Sequence, residues 1–236
     1  MQDKKMPLSE HFADLQKTLL NSLLYCFFAS VLLSFFHKEL LIAFQEPLKN
    51  VGISALNVLS PQEGFLIPIK LVLMCGLIVA TPLIVREVAL FAWPALRQNE
   101  KKILQTFVIP SFLIAILGAF FAWQVLIPIS IEFLLKATTN NNLQATWTLQ
   151  YWFVFVQSML IASVAAFQLP IVMGVLARFG LIDSHTVREK GPHAIVGLLI
   201  LSGFITPPDV VTQIIIAIPL ILLFYFSIFI VKANED

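Results

Sequence analysis

Charge is scarce in this chain. Asp, Glu, Lys and Arg make up 12% of its 236 residues, about half the share of a typical soluble domain. Acidic and basic residues nearly cancel, at a net charge of +1, which excludes a nucleic-acid binder and a charge-swollen disordered segment. Cysteine is nearly missing. Cys26 and Cys75 both sit inside apolar runs, which excludes a disulfide scaffold and reads as two small buried hydrophobes. The four histidines (His11, His37, His185 and His193) are scattered. No H-E-x-x-H, phosphate-binding loop, G-x-S-x-G or metal-spaced Cys/His cluster occurs, so neither an enzyme nor a metal or cofactor protein is expected.

What fills the chain instead is hydrocarbon. Hydrophobic residues make up 58% and phenylalanine alone supplies 21, with a mean hydropathy of +0.88. A soluble fold of this size could not hide that much apolar surface. The chain is therefore an integral membrane protein. Six apolar runs stand out, near Leu19–Phe36, Phe65–Leu90, Ile103–Leu135, Tyr151–Phe179, Ala194–Ile205 and Val210–Val231. Backbone groups in lipid must be satisfied internally, and no alternating ten-residue pattern points to a barrel, so all six read as helices. The first run follows mostly polar residues, lacks an A-x-A-like cleavage site, and is read as a permanent span rather than a signal peptide. The expected division is a cytoplasmic amphipathic segment over residues 1–18, a six-span domain over 19–231 and a short tail over 232–236.

The runs are uneven. The third and fourth exceed what a bilayer needs and must tilt or kink. The fifth, bounded by Pro192 and the Pro207-Pro208-Asp209 turn, reaches only about 18 Å at helical rise. Pro68, Pro82, Pro94, Pro110, Pro128, Pro170 and Pro219 punctuate the runs, each removing a backbone donor and favouring a bend. A kinked all-α bundle curving around a concavity follows. Basic residues give the orientation: with the N-terminus inside, eleven fall on the cytoplasmic side and only Lys38, Lys49 and Lys136 outside, which sets both termini inside. Lys70 and Arg178, within runs, are expected to snorkel to an interface. Glu132, near a span end, is expected to be solvated. No internal repeat is visible, which weighs against a solute transporter built from inverted repeats, the rival reading.

Two cytoplasmic segments carry the candidate chemistry. In Ser9-Glu10-His11-Phe12-Ala13-Asp14-Leu15-Gln16-Lys17, Phe12, Leu15 and Leu19 form an apolar stripe, and Glu10 and Asp14, at i and i+4, share a polar face. By itself this is an interfacial helix with a solvated acidic face. The second segment, Phe91-Ala92-Trp93-Pro94-Ala95-Leu96-Arg97-Gln98-Asn99-Glu100-Lys101-Lys102, joins the second and third spans on the same side. A basic run there ordinarily meets lipid headgroups. Two separated carboxylates, Asp14 and Glu100, on one membrane face also suit a ligand presenting two guanidinium groups.

Taken together these segments resemble a family. The His11-to-Leu15 start, the Phe91-to-Glu100 loop, the Thr206-Pro207-Pro208-Asp209 turn, Glu46-Pro47-Leu48 and Pro68-Ile69-Lys70 are similar to the twin-arginine translocase subunit TatC, in register from about residue 7 to 231. The resemblance implies a cupped six-helix protein that binds twin-arginine signal peptides. It further implies export of folded proteins with TatA- and TatB-type single-span partners, driven by the proton-motive force. It places the signal-peptide site on Glu100 and Asp14, with Glu10, His11, Phe91, Arg97 and Lys101 around them. Partner contacts fall on Gln168, Pro47, Thr206, Asp209 and Gln213. Gln16 and Thr18 replace bases common in the family, and Gln168 stands where many relatives have a membrane-buried glutamate. No transit segment precedes Pro7, so a bacterial inner membrane is the expected location.

Overall fold

The fold comes from a computed structural model that describes residues 8–53, 55–92, 98–140, 146–205 and 210–233. These residues form ten α-helices and one π-turn. They are α1 (Leu8–Ser34), α2 (His37–Lys49), α3 (Glu63–Ala92), α4 (Gln98–Phe121), the π-turn (Ala122–Leu126), α5 (Ile127–Asn140), α6 (Leu149–Phe167), α7 (Leu169–Arg178), α8 (Ser184–Glu189), α9 (Gly191–Ile205) and α10 (Val210–Ala233). Five stretches are long and apolar enough to cross a membrane: Phe12–Ser34, Glu63–Phe91, Phe107–Asn140, Leu149–Arg178 and Gln213–Ala233. The sixth expected span appears as the shorter apolar helix α9. It begins earlier than read from sequence, because Pro192 lies in its first turn, where a missing N–H removes nothing. Its 15 residues still rise only about 22 Å.

The long runs bend where the backbone changes pattern. In the third, the π-turn adds a residue to one turn, and Pro128 follows in the first turn of α5, so the wide turn absorbs the donor that proline lacks. The fourth breaks at Gln168, with Pro170 again in a first turn. At the far end of α7, Gly180 takes a left-handed φ of +67°. Its N–H bonds to Ala177 O at 2.8 Å and the Leu181 N–H to Leu176 O at 3.0 Å, a Schellman closure that turns the chain towards α8.

The segment after the first span holds helix α2, and Pro47 lies inside it. The helix is amphipathic. Phe44, Pro47 and Leu48 are buried against Trp152 and Phe153 of α6. The Trp152 indole N–H donates to the Phe44 carbonyl at 3.0 Å, satisfying the only polar atom of a side chain that is 1% exposed. Beside it, the Asn57 N–H donates to Trp147 O at 2.9 Å and the Leu149 N–H to Asn57 O at 3.0 Å. Thr148 caps α6 by accepting from the Tyr151 N–H. Thus the segments that follow α2 and precede α6 are stitched to each other and to the start of α6.

α6 is the centre of the bundle. In its span 61% of the most apolar window is buried, against 11% for α1. α4 crosses α6 where Gly118 leaves no room for a Cβ against Phe167 and Val164, and Ser163 donates to Gly118 O at 2.8 Å. α1 lies along α3, with Gly76 against Ser30, whose Oγ would sit 2.0 Å from an added Cβ. Small residues permit both close crossings. Cys26 and Cys75 are free and only half-buried, not the fully buried hydrophobes expected.

Trp152→Ala should destabilise the purified protein by about 3–5 kcal/mol through lost packing. Trp152→Phe should cost about 0.5–1.5 kcal/mol, since it removes the indole hydrogen bond to the Phe44 carbonyl. Thermal unfolding in detergent checks this. Wild-type stability in Trp152→Phe would show that the indole hydrogen bond contributes nothing.

Candidate functional site

α1 is amphipathic in the sense opposite to a soluble helix. Phe12, Leu15 and Leu19 are exposed, at 68%, 36% and 56%, whereas Asp14, Thr18, Asn21, Ser22, Tyr25 and Cys26 are partly covered and Ser30 is buried. The apolar stripe read from the sequence thus faces outward, and a stripe of polar and small residues packs against α3. Asp14 lies on the covered side, not on a freely solvated acidic face.

The residue that holds this stripe is Glu87, which the sequence reading passed over. It is 6% exposed on α3. Asn21 Nδ2 donates to its Oε2 at 3.0 Å, Tyr25 Oη to Oε1 at 3.3 Å, and Arg86 Nη1 to Oε1 at 2.7 Å. A buried carboxylate needs such a set of donors, because an uncompensated charge in a poorly solvated site is strongly unfavourable. The available signal was a carboxylate three residues before the end of an apolar run, facing a run that carries Asn21 and Tyr25 seven and eleven residues after Asp14. Asn21 against Glu87 and Ser30 against Gly76 make α1 and α3 antiparallel. Asp14 therefore lies towards the end of α3 that carries Phe91, which is half-buried. Glu10 and His11 belong to α1, and Glu100 and Lys101 to the first turns of α4. Their side chains, and all of Arg97, Thr206 and Asp209, lie outside the described residues.

The residues assigned to partners are engaged within the chain. Gln168, expected to face the concave or partner side because its amide would otherwise be orphaned, is 4% exposed at the break between α6 and α7. Ser111 Oγ donates to its Oε1 at 2.5 Å and its Nε2 donates to Ser111 O at 3.2 Å. Ser111 supplies what a partner was expected to supply, so the orphan argument does not apply. Pro47 is buried in α2. Gln213 donates to Leu199 O at 2.9 Å, clasping α10 to α9 across Gly203. Lys70 is exposed and lines a cavity of about 580 Å³ with Gln150 and Gln157, between α1, α3 and α6. Glu132 is exposed and paired with Lys136 at 2.6 Å. At the far end of α7, Asp183 caps α8; the hydrogen bonds from the Thr186 N–H and then its hydroxyl hold the carboxyl below the usual carboxylate range. No cluster of metal-ligating side chains occurs among the described residues.

Such a chain is a multi-pass α-helical membrane protein whose described polar groups largely serve packing between helices. The family model described as Sec-independent protein translocase protein (TatC) matches residues 10–219, and the chain belongs to the TatC family. It is 34% identical to the Sec-independent protein translocase protein TatC of Aquifex aeolicus, over 96% of this chain and 95% of the relative. To TatC of Escherichia coli K12 the identity is 29%, over 94% and 87%. A crystal structure of a twin arginine translocase receptor, TatC, superposes with a TM-score of 0.81 at 32% identity, covering 96% of this chain and all of the other. A second, determined in DDM, gives 0.82 over 94% and 99%. The chain is a component of Tat-pathway protein translocation and not an enzyme.

Glu87→Ala should destabilise the protein by on the order of 3 kcal/mol, by stranding Arg86, Asn21 and Tyr25. Glu87→Gln, which keeps an acceptor for Asn21 and Tyr25, should lose less than half of that. Thermal unfolding of the two variants in detergent separates them. Equal losses would mean that the charge, and not the hydrogen-bond set, holds α1 to α3.

Proposed function

We propose that this chain is the receptor core of a twin-arginine translocase, binding the arginine pair of signal peptides with Glu100 and Asp14 at the cytoplasmic face. The observation that carries this reading is the antiparallel clamp of α1 on α3 at Glu87, in a chain of the TatC family. That clamp brings the Asp14 end of α1 to the connection leading into Glu100. Two carboxylates at that edge would each accept charge-assisted hydrogen bonds from guanidinium N–H groups, with a bidentate geometry that lysine cannot reproduce. Glu10, His11 and Phe91 flank the peptide, and Arg97 and Lys101 set its register against Glu100.

The same reading has six spans in a bacterial cytoplasmic membrane, with both termini on the cytoplasmic side. TatA- and TatB-type helices dock at the α9–α10 hairpin, around Thr206, Asp209 and Gln213, with Gln168 and Pro47 shaping the surfaces they meet. The shortness of α9 favours this, since a helix of about 22 Å leaves a mismatch with a core of roughly 30 Å that recruited helices or local thinning would relieve. Folded cargo then passes with the proton-motive force as driver. A solute carrier, the rival, would hold no peptide.

Loss of one charge-assisted bond of roughly 1.5–3 kcal/mol means that Glu100→Ala should weaken binding of an RR signal peptide on the order of tenfold to over a hundredfold. Asp14→Ala should weaken it less, its shorter side chain reaching less far. Titration of the purified protein with the RR peptide and its KK variant is the measurement. Equal affinity for the two peptides, or an unchanged affinity in Glu100→Ala, would refute the assignment.

A further inference from the structure

A cavity of about 860 Å³ opens between α8 and the end of α10, far in sequence from the segments assigned to the signal peptide. His185 and Arg188 of α8 and Lys232 of α10 line its polar part, while Tyr225, Ile228 and Phe229 line the rest. The pocket is built rather than incidental. Val187 of α8 is buried against Phe224 and Ile228 of α10, so the short helix is fixed where its basic residues face Lys232. Tyr225, Phe229 and Lys232 follow one another at i, i+4 and i+7, one side of a helix, and all three are exposed.

The composition selects a ligand. Three basic side chains and no carboxylate line the cavity. Asp183, the N-cap of α8, is engaged by the Thr186 N–H and hydroxyl at 2.7 Å each, and Glu189, the acid within α8, does not line the cavity. Among the described residues neither Arg188 nor Lys232 makes a side-chain hydrogen bond or ion pair. Below the charges the wall turns apolar and aromatic, at 52% exposure for Tyr225 and 69% for Phe229, along a helix apolar enough to span the membrane. Charge at one end and exposed rings along hydrocarbon at the other match a molecule with an anionic head and acyl tails. A soluble phosphate would use only the first half of this surface.

We propose that this cavity binds one anionic phospholipid, its phosphate held by Arg188, Lys232 and His185 and its acyl chains laid along Phe229 and Tyr225. The bound lipid would fasten α8 to the end of α10 and neutralise the cations that line the cavity. This goes beyond the receptor reading and does not depend on it.

Native mass spectrometry of the full chain in detergent tests it, with phosphatidylglycerol and phosphatidylcholine of identical acyl chains as probes. The wild type should retain phosphatidylglycerol in preference. The double variant Arg188→Gln/Lys232→Gln should lower that affinity roughly thirtyfold, each single variant roughly fivefold, and leave phosphatidylcholine unchanged, as for two basic contacts to an anionic lipid. Lys190→Gln, a neighbouring base that does not line the cavity, should have no effect. Should the double variant not fold, the single variants carry the test. The proposal is overturned by equal retention of the two lipids, which would also result if Glu235 and Asp236 of the tail occupied the cations. An unaffected double variant, or an equal loss in Lys190→Gln, overturns it as well. Competition by glycerol 3-phosphate at the same concentration would show a soluble-phosphate site instead.

Discussion

The hydrogen bond from the Trp152 indole to the Phe44 carbonyl fixes the half of the bundle that carries α2. Lipid offers no hydrophobic drive for one apolar helix to join another, so a membrane bundle must be held by close packing and by polar contacts without competition from water. Trp152 supplies both. Its ring lies 5.8 Å from Phe44 and stacks on Phe155 at 5.7 Å, while its N–H ties α2 down onto α6. With α2 seated and Asn57 paired to Trp147 and Leu149, the adjoining ends of α3, α5 and α6 share one core, from Ile67 and Leu71 through Leu126 to Met159.

The other half is built differently. There polar contacts set α1 on α3 and α4 on the α6–α7 break, beside the apolar packing of α8 on α10. Glu87 gathers Asn21, Tyr25 and Arg86, and Gln168 pairs twice with Ser111. Each group would be strongly unfavourable alone in hydrocarbon and is stable only because its complement is in place. Such contacts position helices without enclosing them, so α1 keeps an apolar face turned outward while its polar stripe stays in register with α3. This kind of constraint fixes helices in relation to each other and leaves their apolar faces exposed.

The break at Gln168 shows how sequence chemistry and tertiary position divide the work. Pro170 makes an uninterrupted helix through residues 166–170 unfavourable, yet it does not say what closes the gap. Ser111, fifty-seven residues earlier, does so with one hydroxyl and one carbonyl. An amide can both donate and accept, so this chain satisfies the position without a titrating group.

From sequence alone came the membrane solvent, the helical class, the order of the long runs, the short fifth run and the family motifs. Each of these rests on local composition or spacing, and hydrocarbon imposes helix on any long apolar segment. Glu87, the helix in the first outer connection, the inward polar face of α1 and the Ser111–Gln168 pair escaped it. Each depends on which two distant segments meet: a lone Glu in an apolar run reads as a topology marker until Asn21 and Tyr25 are seen opposite it. Helical periodicity can find the two faces of α1, but only packing against α3 decides which of them turns inward. In lipid, where apolar faces lose nothing by exposure, that choice falls to the polar stripe, because it alone has a partner to find.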